Sequence, residues 1–337
     1  MHLSDHQRSN RIGKPLDVFD PLAMPESTTE KVGLLLPAEL PTVGVGHILK
    51  IAVATHLAEW CTHGVSATFA PSFGSCRIQR LSTGTLGMWF QNCGTTTQLT
   101  VSGPYSFSPI IPHNSLHDST LLFIRPGAAF SVLGIPASEL TCRRYALDDL
   151  LPGEGTRLMQ QILEVKCPVQ RLHVMQAWVE ARIARFARAR DHELTAGLRR
   201  WLANPGRLSD LVTEVGGSQR QIQRWFADGV GLAPRELDTL WQVGRVARQA
   251  MTQERVDWTS LALDHGFSDQ SHLTRRWREV LGDSPAHFHR RWRAGGQWLD
   301  GLMIAPPEPT QTHAGREFSQ PAKPTGRWCR NRSRHHS

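Results

Sequence analysis

From about residue 44 the chain alternates short apolar runs with clusters of Gly, Pro and Ser: GHILKIAVATH, VSATFAPSF, GTLGMWFQ, TQLTVSG, FSPIIP and STLLFIR. β-Branched and aromatic runs of this length, broken at short intervals by turn residues, predict strands of a barrel or sandwich. Pro126 and Gly127 stop the last run, and AAFSVLG after them predicts a short helix. The period then changes. In VQRLHVMQAWVEARIARFARAR the residues Leu172, Met175, Val179, Ile183 and Phe186 recur at helical spacing, while Arg182, Arg185 and Arg188 fall on other faces. This predicts an amphipathic helix joining two halves of the chain. From 191 to about 294 the pattern stays helical with short polar breaks.

The expected fold class is therefore α+β in two domains. Residues 31–168 form a β-rich domain, barrel or sandwich, 169–190 a connecting helix and 191–294 an all-α domain. Residues 1–30 mix charge, Ser, Thr and Pro without period and read as a disordered leader. Residues 295–337 end in RWCRNRSRHHS and read as a disordered basic tail.

The helical half repeats itself. LSDLVTEVGGSQRQIQRWFADGVGLAPRE, from Leu208, aligns with WTSLALDHGFSDQSHLTRRWREVLGDSPAH, from Trp258. The offset is 50 residues before the turn (Leu211 to Leu261) and 51 after it (Ile222 to Leu273). Arg224 matches Arg275, Phe226 matches Trp277, Gly231 matches Gly282 and Pro234 matches Pro285. Each copy has the parts of a helix-turn-helix: a short helix, a Gly-containing turn (Gly216-Gly217; Gly266), a capping residue (Ser218; Ser268 with Asp269) and a second helix. Ile222 and Phe226, or Leu273 and Trp277, give that helix one buried stripe. Gln219, Arg220, Gln223 and Arg224, or Gln270, Ser271, Thr274 and Arg275, are left on the outer face.

That outer face matches a DNA major groove chemically. Arg pairs with guanine O6/N7, Gln with adenine N6/N7, and Ser or Thr with base edges or phosphate. Between the copies runs APRELDTLWQVGRVARQAM, a helix of nineteen residues and roughly 28 Å. One turn of B-DNA is about 34 Å, so a rigid linker of this length sets two recognition helices into successive major grooves. One polar helix-turn-helix is weak evidence, because many helix pairs look alike. Two copies with matched caps, glycines and prolines are strong evidence.

Residues from about 190 to 294 resemble the DNA-binding domain of AraC/XylS-type bacterial transcription regulators. LALDHGFSDQSHLTRRWREVLGDSPAHFHRRW carries most of the resemblance and SQRQIQRWFADGVGLAPRE agrees with it. Val212 stands where that family usually has a small residue. The resemblance implies base contacts by Arg220, Gln223 and Arg224 in the first copy and by Gln270, Ser271, Thr274 and Arg275 in the second. LLFIRPGAAFSVLGIPASELTCRRYALDDLL is similar to a sensor-like domain that precedes such DNA-binding domains. By analogy, the N-terminal half binds a small-molecule effector or mediates dimerisation. The expected partner is double-stranded DNA, and the resemblance admits RNA polymerase and a homodimer as well.

Composition narrows this picture little. The net charge of +8 and a pI of about 9.6 favour an anionic partner without choosing between nucleic acid and anionic lipid. No run of about twenty apolar residues exists, so no membrane partner is expected. The six cysteines fall in no CxxC pair and no apolar signal segment opens the chain, so the expectation is a reduced, cytoplasmic setting. His47, His56, His63, His113 and His117 lack a His-x-His followed by Glu, and no metal or other cofactor is expected. Trp60, Trp89, Phe69 and Phe90 either line an effector pocket or fill the core, the commoner use. Cys76 and Cys93 read as ordinary thiols before redox sensors. An enzyme fused to a DNA-binding domain is the alternative reading. A thiol-transfer enzyme would need an activated Pro-Cys-His motif, whereas Cys167 is followed by Pro168, so no enzyme is expected.

Overall fold

The computed structural model describes residues 45–69, 75–114, 117–203, 218–293, 297–299 and 302–305. The N-terminal half contributes strands β1 (Val45–Ile51), β2 (Cys61–Phe69), β3 (Ser75–Arg80), β4 (Leu86–Asn92), β5 (Thr97–Ser102), β6 (Ile110–Asn114) and β7 (Asp118–Ile124). Helices α1 (Ala129–Leu133) and α2 (Ala137–Leu140) follow, then strand β8 (Arg144–Ala146) and helices α3 (Leu147–Leu150) and α4 (Glu154–Glu164). The larger sheet runs β1-β2-β7-β4-β5-β8, with antiparallel pairing throughout.

The pleat gives this sheet two unlike faces. Leu86, Met88 and Phe90 of β4 join Leu99, Val101, Leu122 and Ile124 in a core shared with α1, α4 and the next helix, α5 (Pro168–Phe186). Gly87, Trp89 and Gln91 alternate with them and turn to the opposite side. Trp89 and Phe90 are neighbours on one strand and so face opposite ways. Trp60 packs edge-on to His192, 4.4 Å between ring centroids. Trp60 and Phe90 therefore belong to this core, and Trp89 faces away from it.

Helix α5 buries Leu172, Met175 and Val179, and ends where its backbone turns extended at Ala187. Helix α6 (Ala189–Ala203) follows after that break. Arg182 departs from its expected place on an outer face: it is buried, and donates to the carbonyls of Val132 and Leu133 and to Glu154. A charged residue can lie inward when several acceptors meet it there, which apolar periodicity alone does not reveal.

The helical half comprises α7 (Gln219–Trp225), a π-helical turn (Phe226–Val230), α8 (Pro234–Met251), α9 (Trp258–Asp264), α10 (Gln270–Leu281) and α11 (Pro285–Arg293). One core joins both repeats through α8: Ile222, Phe226, Leu237, Leu240, Val243, Ala247, Leu273, Trp277 and Phe288 are buried together. Leu208 to Gly217, the expected first helix and turn of the first repeat, lie outside the described residues.

The expected tail needs correction. Residues Gln297–Leu299 form β9 and Leu302–Ala305 form β10, and β10 pairs antiparallel with β3, giving a second sheet in the order β6-β3-β10-β9. The apolar runs QWL and LMIA on either side of Asp300-Gly301 carry a hairpin signal that the basic composition downstream obscured. The rest of the expected tail, 306–337, and the leader, 1–30, lie outside the described residues.

The halves are joined by more than the chain. The Gly127 amide donates to the Gly229 carbonyl (3.0 Å), and the Thr141 hydroxyl to the Gly231 carbonyl (2.7 Å). Gln79 Nε2 donates to the Leu281 carbonyl (3.0 Å) and the Ser108 amide to that of Val280 (2.6 Å). The β-rich half thus satisfies carbonyls at the end of α10 that a helix terminus leaves open.

Candidate nucleic-acid interface

The second unit is described in full. Asp257 caps α9, its carboxylate accepting from the amides of Thr259 and Ser260 at 3.0 and 3.2 Å. Gly266 makes the turn at φ +79°, a conformation glycine adopts without strain. Asp269 then caps α10, accepting from the His272 amide at 2.7 Å, while the Ser268 hydroxyl donates to Asp269 at 3.1 Å. Of the expected pair, Asp269 is the cap and Ser268 supports it. Gly282, at φ +85°, ends the helix with its amide on the Arg278 carbonyl.

Leu273 and Trp277 are fully buried on the inner face of α10. On the outer face Gln270, Ser271, Arg275, Arg278 and Glu279 are exposed and Thr274 is half-buried. Gln270, Ser271, Thr274 and Arg275, expected on the groove face, line one shallow depression with Arg278 and Glu279. Arg278 and Glu279 were not singled out from the sequence. They lie three and four residues beyond Arg275, the spacing that continues a helix face. The Thr259 hydroxyl donates to Gln270 Oε1 at 3.2 Å, which uses the amide's oxygen and not its NH₂ donors.

In the first unit Ser218 and Gln221 form a capping box: the Gln221 amide donates to the Ser218 hydroxyl (3.3 Å) and the Ser218 amide to Gln221 Oε1 (2.8 Å). Gln219 opens α7; Arg220, Gln223 and Arg224 are exposed, and Ile222 and Phe226 are buried. Phe226 continues into the π turn, which Gly231 stops at φ +74°. The wider turn brings Gly229 against Gly127, where a side chain at 229 would meet Leu194 at 2.7 Å.

The arginines divide by partner. Arg276 pairs with Glu279 (2.9 Å) and Arg291 with Asp283 (2.8 Å), while Arg293 lies 3.7 Å from Glu254. Among the described residues, the guanidiniums of Arg220, Arg224, Arg275 and Arg278 make no such pair. A guanidinium without an internal partner keeps its whole donor fork for phosphate or base. The linker α8 has 18 residues, about 27 Å of helix, and a Pro at its start that presets the backbone.

Hydrogen bonds from backbone amides hold the Asp257 and Asp269 carboxyls below their ordinary range, with the Ser260 hydroxyl first among the causes for Asp257. A carboxylate with a depressed folded value stabilises fully above about pH 4 and loses that contribution as the pH falls through the folded value. Asp269→Ala is expected to lower the thermal midpoint by a few degrees, and Asp269→Asn to be nearly neutral, because Asn also caps. Circular dichroism melts of the two variants at neutral pH check this; equal losses would argue against capping as the role of Asp269.

The other candidate chemistry is modest. Burial pushes the Cys61 thiol up to about 12, which leaves it a poor nucleophile near neutral pH. His56 reaches Glu180 at 3.2 Å and His63 stacks on Phe123 at 4.7 Å. Among the described residues no three of His, Cys, Asp and Glu converge as metal ligands. No described helix is long and apolar enough to cross a membrane.

Residues 211–291 match the family model described as "Helix-turn-helix domain". No curated protein matches the sequence. Among solved structures, ToxT from Vibrio cholerae O395 is similar over 64% of this chain and 96% of its own, at 8% identity and a TM-score of 0.35. Wild-type ToxT from strain SCE256, solved with an unsaturated fatty acid bound, covers 64% of this chain and 86% of its own, at 10% identity and a TM-score of 0.30.

Proposed function

We infer that this chain is a sequence-specific DNA-binding transcription regulator of the AraC type that reads two successive major-groove segments, a reading supported by the helix-turn-helix model that residues 211–291 match. The observation that carries this is the repeated unit: two capped helices, each with one buried apolar stripe and unpaired arginines outward, joined by one rigid helix. Phosphate contacts would supply most of the affinity, and the two polar faces the sequence preference. In this reading Gln219, Arg220, Gln223 and Arg224 face one segment, and Gln270, Ser271, Thr274 and Arg275 the next. The β-rich half would control the reading through an effector or through dimerisation. Its hydrogen bonds to the end of α10 give it a direct hold on the second unit.

Selection of bound duplexes from a random DNA pool tests this. The expected site is asymmetric, with two preferred segments centred about 10 base pairs apart. Arg224→Ala should relax the preference in one segment and Arg275→Ala in the other, each by about 1–3 kcal/mol. Recovery of a single short segment, unchanged by either substitution, would contradict reading by both helices.

A further inference from the structure

The β-rich half holds a buried cation with no counter-charge. Arg80 ends β3 at 1% exposure, its guanidinium pointing at the non-helical face of the larger sheet. It donates to the Ser102 hydroxyl (2.6 Å), to the Thr85 hydroxyl (3.2 Å) and to the Thr85 carbonyl, and lies over the Phe123 ring at 5.7 Å. Its Nε is buried without a partner. All of its partners are neutral.

Other arginines packed inside this half vary: the half-buried Arg125 donates to the Ala58 carbonyl, whereas two more meet carboxylates. Arg182 is paired with Glu154 and Arg171 with Asp118. Beside Arg80, a second arginine repeats the anomaly. Arg144 pairs across the sheet with Ser102, lies over the Trp89 ring at 5.5 Å, and donates to the Thr100 hydroxyl at 2.9 Å and to Gln91 Oε1. Among the described residues neither arginine meets a carboxylate. Tyr105 lies near both, but burial raises its hydroxyl above its ordinary value, so it stays neutral and supplies no counter-charge. Burial lowers Arg80 only to about 10, so it remains charged at neutral pH. A buried charge without a partner is strongly unfavourable, and each neutral acceptor here is weaker than an oxyanion would be.

We propose that Arg80 and Arg144 form a binding site for a small polar carboxylate, which supplies the charge the β-rich half lacks. Arg144 is half-buried on edge strand β8, and the buried Ser102, Thr100, Thr85 and Gln91 supply hydrogen-bonding groups around the two guanidiniums. Hydroxyl and amide neighbours suit a short, polar acid better than a long apolar one. The site also has a route outward. Gln79, the residue before Arg80 on the same strand, turns the other way and holds the Leu281 carbonyl at the end of α10 and the Arg291 guanidinium (3.2 Å). A carboxylate that shifts Arg80 therefore acts, through β3, on the second recognition helix.

The proposal rests on reading the β-rich half as a sensor, and melting without DNA tests the anion site by itself. The full-length protein is melted in sodium acetate and in sodium chloride at equal ionic strength. Acetate is expected to raise the wild-type midpoint by a few degrees over chloride. Arg80→Leu and Arg144→Gln should each remove most of that increment. Ser102→Asp, which builds a carboxylate into the site, should raise the midpoint in chloride and make acetate redundant. Equal wild-type midpoints in the two salts, or an increment that survives in both arginine variants, overturns the proposal. Loss of DNA recognition would contradict the DNA-reading account while leaving the acetate increment in place.

Discussion

Trp277→Ala is expected to cost about 3–5 kcal/mol, the range for truncating a large buried aromatic. Trp277 is fully buried beneath the outer face of α10. It meets Trp258 edge-on at 5.7 Å and Phe288 at 5.3 Å, so it ties the three helices of the second unit together. A typical domain has only about 5–15 kcal/mol of net stability, so losing this residue should unfold much of the helical half, whose two repeats share this core. The indole Nε1 has no hydrogen-bond partner. Trp277→Phe keeps most of the packing and removes an unsatisfied donor, so its cost should be much smaller. Denaturant titration followed by circular dichroism checks the order. A Trp277→Phe variant as unstable as Trp277→Ala would show that something other than ring packing holds the unit.

The second large effect is expected in the β-rich half. Arg182→Ala should destabilise the β-rich half by about 3 kcal/mol, the lower part of the range for breaking a buried pair. The residue donates to the Val132 carbonyl at 2.8 Å and the Leu133 carbonyl at 2.7 Å, the last of α1, and to both Glu154 oxygens at 2.9 and 3.1 Å. It also lies over the Phe186 ring at 4.2 Å. Glu154 is partly exposed and can turn to water once Arg182 is gone, which keeps the cost from the upper end. Arg182→Lys should recover little, because one ammonium cannot reach three separate acceptors. Thermal melts of the two variants check this, and a lysine variant as stable as wild type would contradict it.

These two residues show what could be read from the sequence and what could not. Trp277 was legible: it repeats Phe226 at a fixed offset and sits on an apolar stripe one turn from Leu273. The same repeat carries the caps, the glycine stops and the outer face of the second helix in each unit. Arg182 was not legible as a core residue, because its place is set by carbonyls and a carboxylate distant in sequence. Strand β3 escaped for a related reason. SCRIQR ends on two polar residues in succession, Gln79 and Arg80, and both are buried, so apolar periodicity does not mark that end of the strand. Strands β9 and β10 were hidden by the composition of the residues after them. The helical half depends on local periodicity and repeats, which a single sequence displays. The β-rich half depends on which polar groups meet across sheets, which it does not.

The most direct test of the central claim is fluorescence anisotropy on the DNA upstream of this protein's own gene. Wild type, Arg224→Ala and Arg275→Ala would be compared at two salt concentrations with scrambled duplex as competitor. Wild type should prefer its own upstream DNA over the scrambled duplex. Each substitution should weaken specific binding by about 1–3 kcal/mol and leave the fold intact by circular dichroism. Non-specific binding should remain and fall steeply with salt. Equal wild-type affinity for both duplexes, or specific binding untouched by either substitution, would contradict the reading of DNA by these two helices.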